Sequence, residues 1–129
     1  MSHRVLVLDN DPSLGELLAL ALRRSGLRPL VLSASADAET VMTEEGADFL
    51  VLDLNLGAGD SGDRLARRWA GAGILPPFLI LTGTPLDERL DSLRGLPEFR
   101  GVLAKPFSLV ALADEIRAGC GPARLGESA

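Results

Sequence analysis

Residues 4–11 read Arg4-Val5-Leu6-Val7-Leu8-Asp9-Asn10-Asp11, a short unbroken apolar run that ends abruptly in acids. An apolar run closed by a polar residue returns three times along the chain. Phe49-Leu50-Val51-Leu52 runs into Asp53, Pro77-Phe78-Leu79-Ile80-Leu81 into Thr82-Gly83, and Val102-Leu103-Ala104 into Lys105-Pro106. Runs of this length without polar alternation suit strands buried on both faces, as in a parallel sheet covered by helices. Leu30-Val31-Leu32 supplies one more.

Between the runs, apolar residues recur at helical spacing. Leu14, Leu17, Leu18, Ala21 and Leu22 precede Gly26; Ala38, Val41 and Met42 precede Gly46; Leu65 and Trp69 precede Gly71. Leu86, Leu90 and Leu93 precede Gly95 in a stretch kept short by Pro85 and Pro97, and Leu109, Leu112, Ala113 and Ile116 precede Gly119. A glycine after each of these five predicted helices suits the left-handed position beyond a helix end. Asp11 is placed to cap the first helix, with Pro12 at the first helical position, where its missing N–H costs nothing. Ser108 caps the last, flanked by Phe107 and Leu112 as a hydrophobic staple. Gly57-Ala58-Gly59-Asp60-Ser61-Gly62 reads as a flexible loop.

Five βα units predict an α/β fold: a five-stranded parallel sheet with helices on both faces. The absence of a Gly-x-Gly-x-x-Gly turn after the first strand favours the flavodoxin-like order 2-1-3-4-5 over the Rossmann order. Residues 1–129 are expected to form one domain, with a core over about residues 4–118 and a C-terminal tail at 119–129. The net charge of −5 disfavours binding to nucleic acid or anionic lipid. One cysteine and one histidine build neither a disulfide framework nor a Cys/His metal centre. With no leader-like or membrane-spanning apolar stretch, a cytoplasmic setting is expected.

In an open parallel sheet, functional groups converge where strands deliver their carboxyl ends. The predicted order makes the first and third strands neighbours, bringing Asp9, Asn10 and Asp53 together. Gathered carboxylates raise one another's pKa unless a cation joins them, and a hard ion such as Mg²⁺ prefers oxygen ligands.

The ordered set resembles the receiver domain of two-component response regulators. The matching features are Asp9-Asn10-Asp11 after the first strand, Asp53 after the third with Asn55 two residues on, Thr82-Gly83, and Lys105-Pro106-Phe107. The resemblance implies that Asp53 accepts a phosphoryl group from a phosphohistidine on a sensor histidine kinase or phosphotransfer protein. It implies Mg²⁺ held by Asp53, the main-chain carbonyl of Asn55, and Asp9 with Asn10. Lys105 would pair with phosphoryl oxygens, Thr82 would donate its hydroxyl to one, and Gly83 would leave access. Output would pass through a protein contact, without enzymatic activity.

Three positions depart from the family pattern. Asn10 stands where a second acid ordinarily ligates metal, which weakens Mg²⁺ affinity. Val102 replaces an aromatic that rotates on activation, so a response is expected to stay within Thr82 to Arg94. Gly57 replaces a usual proline, which loosens its loop. Two other functions compete with the acceptor reading. One is a degenerate receiver acting as a phosphorylation-independent interaction module. The other is a haloacid dehalogenase-type hydrolase, whose first motif Asp9-Asn10-Asp11 matches superficially, although Lys105 lacks the acidic motif that should follow it. Taken singly, Asp11 is a plain helix cap, Asp53 a polar strand end, Asn10 a turn residue, Thr82 a β-branched strand residue and Lys105 a solvated charge.

Overall fold

The chain is described by a computed structural model covering residues 3–57 and 60–120. In chain order the elements are β1 (Arg4–Leu8), α1 (Pro12–Arg24), β2 (Arg28–Leu32), α2 (Ser35–Glu44), β3 (Phe49–Asp53), β4 (Asn55–Gly57), β5 (Asp60–Ser61), α3 (Gly62–Gly71), β6 (Phe78–Thr82), a 3₁₀ segment (Glu88–Leu93), β7 (Phe99–Ala104) and α4 (Leu109–Cys120). The five longer strands pair in parallel in the order β2-β1-β3-β6-β7. With the β4–β5 ribbon set aside, this is the flavodoxin-like order expected from the sequence.

Successive strand residues point to opposite faces, so each central strand feeds two cores. Leu6, Leu8, Leu50, Leu52, Phe78 and Ile80 pack with residues of α2, α3 and the 3₁₀ segment, including Val41, Trp69, Leu90 and Leu93. Val5, Val7, Phe49, Val51, Leu79 and Leu81 pack with Leu18 and Leu22 of α1 and Leu112 and Ile116 of α4. β1, β3 and β6 are almost wholly buried, while the edge strands β2 and β7 are half-buried. The predicted caps are present: Asp11 Oδ1 accepts from the N–H of Ser13 at 3.1 Å and of Leu14 at 3.3 Å, and Ser108 Oγ accepts from the N–H of Ala111 at 3.2 Å.

Several expectations are corrected. Leu17 is exposed because the buried face of α1 runs through Gly15, Leu18, Ala19 and Leu22, leaving Leu17 about a quarter-turn away. The fourth predicted helix is the 3₁₀ segment, leaving four α-helices among the described residues. Leu90 and Leu93 stand three apart and both are buried, as a three-residue turn allows, whereas Leu86 is 94% exposed. The loop after β3 is an antiparallel ribbon pairing Asn55 with Ser61 and Gly57 with Asp60. Gly57 has φ 73°, which a proline locked near about −65° cannot adopt. Ala58 and Gly59 lie outside the described residues.

Glycines at helix ends also divide. Gly26 and Gly46 take φ 85° and 78° as expected, but after α3 it is Gly73 and not Gly71 that turns left-handed. Gly119 does not end a helix: α4 continues through it to Cys120, and the remaining residues of the expected tail, 121–129, lie outside the described residues. A Cβ at Gly119 would stand 2.4 Å from the Phe49 ring. Gly119→Ala is therefore expected to cost about 1–3 kcal/mol through overpacking, measured by urea unfolding.

Candidate functional site

The carboxyl ends of β1, β3, β6 and β7 meet at one edge of the sheet, and they carry Asp9, Asp53, Thr82 and Lys105. Asp53 is the last residue of β3 and pairs in register with Leu81, while Thr82 pairs with Ala104. The main chain holds these ends together: Leu54 N–H donates to Leu81 O at 2.9 Å, and Lys105 N–H to Thr82 O at 2.8 Å. Asp9, Asp53 and Thr82 are buried, exposed by 2%, 4% and 0%.

Asp53 is held through both carboxylate oxygens. Oδ2 accepts from Lys105 Nζ at 3.1 Å, and Oδ1 accepts from the N–H of Asn55 at 3.2 Å. Asp9 Oδ1 accepts from the N–H of Asp11 at 2.9 Å, but the buried Asp9 Oδ2 has no hydrogen-bond partner. Burial pushes the Asp9 carboxyl above the usual carboxylate range. The Asp11 N–H opposes that shift, and the nearby Asp53 charge adds to it. A buried carboxylate with an unpartnered oxygen beside a second carboxylate is suited to a cation.

Asn10 and Asn55 are both exposed and are engaged elsewhere through their side chains. Asn10 Nδ2 donates to Leu56 O at 3.1 Å, and Asn55 Oδ1 accepts from Arg89 Nη2 at 2.9 Å. Asp11 is committed to its helix cap. Among the described residues no group of three His, Cys, Asp or Glu side chains stands ready to hold a metal. The oxygen set fits Mg²⁺, which keeps several waters and takes few carboxylates: Asp9 and Asp53, with a main-chain carbonyl such as that of Asn55. A Cβ at Gly83 would meet nothing within 4 Å, leaving that side of the site open.

Thr82 Oγ1 accepts from the N–H of Thr84 at 3.0 Å and lies 3.0 Å from Thr84 Oγ1. Thr84 and Arg89 were not legible as site residues. Arg89 pairs with Asp87, whose carboxyl it holds down at about 2, chiefly through the side-chain hydrogen bonds. The hydrogen bond from Arg89 to Asn55 joins residues 34 apart, and no local pattern announces it. Burial, helped by the Asp48 charge, pushes the Cys120 thiol up to about 11, which disfavours the thiolate.

Over 119 residues the chain is 34% identical to the swarming motility regulation protein RssB of Serratia marcescens, a match covering 88% of this chain and 51% of that protein. Over 119 residues it is 32% identical to the DNA-binding response regulator MtrA of Mycolicibacterium smegmatis, covering 92% and 50%. The chain thus spans about half the length of the curated relatives it matches. The receiver domain of the Francisella response regulator 1452 aligns with a TM-score of 0.78 at 22% identity, over 92% of this chain and 97% of that one. A CheY-like response regulator receiver domain from Methylobacillus flagellatus aligns with a TM-score of 0.77 at 20% identity, over 92% and 99%. These two structural likenesses speak to the fold alone. No family model matches the chain. Among the described residues no helix is long and apolar enough to cross a membrane.

Proposed function

This chain carries the receiver domain of two-component response regulators, and from that premise we propose that Asp53 accepts a phosphoryl group from a phosphohistidine on a partner kinase or phosphotransfer protein. The observation that carries the reading is the buried Asp53 carboxylate, bonded to Lys105 at 3.1 Å and flanked by Asp9 and the Thr82 strand end. An Asp53 oxygen would form the new P–O bond as the P–N bond to the donor imidazole breaks, its electron pair staying on the ring nitrogen. Transfer of this kind depends on positioning and charge neutralisation more than on a base. Lys105 supplies a fixed cation for the phosphoryl oxygens, and the Thr82 hydroxyl a donor. Asp9, Asp53 and the Asn55 carbonyl would hold Mg²⁺, which when bound neutralises charge on the transferring group.

Output is proposed to be a protein contact, in a cytoplasmic setting and without enzymatic turnover. The net charge of −5 supports a protein partner over nucleic acid for these residues. Incubation with acetyl phosphate and Mg²⁺, read by mass spectrometry, tests the acceptor role.

Asn10 favours the degenerate receiver as the second reading, because its amide is turned to Leu56 O and brings no charge to the ion. Asn10→Asp is expected to tighten Mg²⁺ binding by on the order of 1–3 kcal/mol and to speed phosphorylation. Without Mg²⁺ the same variant is expected to be less stable, since a third acid joins Asp9 and Asp53 and Leu56 O loses its donor. Mg²⁺ titration with a parallel thermal melt checks both signs. Equal Mg²⁺ affinity in both proteins would place residue 10 outside the ion's reach.

A further inference from the structure

The polar contacts around Asp53 close into a ring that runs through a residue with no role so far. From Asp53 Oδ1 the ring passes to the Asn55 N–H, and from Asn55 Oδ1 to Arg89 Nη2 at 2.9 Å. Arg89 donates to both oxygens of Asp87, Nε to Oδ1 at 3.1 Å and Nη2 to Oδ2 at 2.8 Å. Asp87 Oδ2 lies 3.5 Å from Thr84 Oγ1, which in turn lies 3.0 Å from Thr82 Oγ1. Thr82 O accepts from Lys105 N–H, and Lys105 Nζ returns the ring to Asp53 Oδ2.

We propose that Arg89 is a coupling residue, linking the Thr82 hydroxyl and the ribbon after Asp53 to the 3₁₀ segment, so that phosphorylation is read out there. The proposal rests on the acceptor reading of Asp53. Its logic is a count of protons. Thr82 and Thr84 each carry one hydroxyl proton. While Thr82 donates to Thr84, the Thr84 hydroxyl is free to donate to Asp87. Once Thr82 donates to a phosphoryl oxygen, the Thr84 proton is drawn to Thr82 Oγ1 and the Asp87 contact, the longest in the ring, is given up. The added negative charge at Asp53 pulls the guanidinium the same way, toward Asn55 and off Asp87.

Asp87 is the N-cap of the 3₁₀ segment, its Oδ1 accepting from the Arg89 N–H at 2.9 Å, so disturbing this pair loosens the first turn. The far end stays pinned from α3, where Arg67 bonds both Asp63 and Ser92. Among the described residues, the segment's hydrogen bond to the site is made by Arg89. This route needs no rotating aromatic, and Val102 offers none.

Amide exchange of the whole chain, with and without Mg²⁺ and beryllofluoride, tests the coupling in the wild type, R89Q and R89K, with phosphorylation by acetyl phosphate read separately by mass. In the wild type beryllofluoride should speed exchange over residues 87–93. R89Q should exchange there faster by about two- to fivefold without the mimic, as expected for loss of a partly exposed ion pair, and change little further when it binds. R89K, which keeps the charge but not the fork, should fall between. A wild-type response retained in R89Q, with phosphorylation intact, would overturn this proposal alone. A wild type that takes no phosphoryl group would overturn the acceptor reading and this proposal with it.

Discussion

Incubated with acetyl phosphate and Mg²⁺, the protein is expected to gain one phosphoryl group, and Asp53→Ala none. Three aspartates end or follow strands near the site, and their surroundings separate them. Both Asp11 contacts come from the first turn of α1, so its oxygen is spent on the cap. Asp9 has a bare oxygen but no cation bonded to it, and its raised pKa describes a carboxyl that resists charge. Asp53 alone has a lysine ammonium at hydrogen-bond distance, placed where phosphoryl oxygens would gather. The effect is all or none, since removing the nucleophile removes the bond that would form. An adduct surviving in Asp53→Ala would sink the assignment, and one found on Asp9 would revive the hydrolase reading.

The sequence made the sheet legible because its three central strands are apolar runs closed by a polar residue, the pattern of a doubly covered parallel strand, while the edge strands β2 and β7 keep shorter apolar stretches at their carboxyl ends. The site's carboxylates, Thr82 and Lys105 were legible for the same reason, since each is the residue that closes such a run. The ribbon at Asn55–Gly57 and Asp60–Ser61 was not, because strands this short, running into a glycine-rich stretch, carry no alternation to distinguish an antiparallel pair from coil. Leu90 and Leu93 fit α and 3₁₀ turns equally at a spacing of three, and the exposed Leu86 extended the pattern falsely. Gly119 was misread because a glycine that ends a helix and one that admits a neighbouring ring look alike in sequence. Arg89 was invisible for a different reason: its partner Asn55 lies across the fold, and a charge between acids on a short segment reads as solvated.

Gly62→Ala is expected to damage stability and phosphorylation together, because Gly62 is where α3 starts against the end of β3. Its N–H donates to Leu54 O at 2.8 Å, and a Cβ there would stand 2.6 Å from the Asp53 carbonyl oxygen and 3.1 Å from Leu54 Cα. Both atoms belong to the main chain, so no rotamer change relieves the clash. Either the first turn of α3 lifts off or the end of β3 shifts, and Asp53 moves with it. Overpacking of this kind costs about 1–3 kcal/mol. Displacing a reacting group by about an ångström costs on the order of a hundredfold in rate. Gly71→Ala is the matched control, since a Cβ there meets nothing within 4 Å and its φ is not left-handed. That variant is expected to be neutral or to gain about 0.4–1 kcal/mol from a less flexible unfolded chain. Thermal melts and phosphorylation rates of the pair separate local strain from a general intolerance of alanine in α3. A Gly62→Ala protein with wild-type melting and rate would mean that the helix does not fix the position of Asp53.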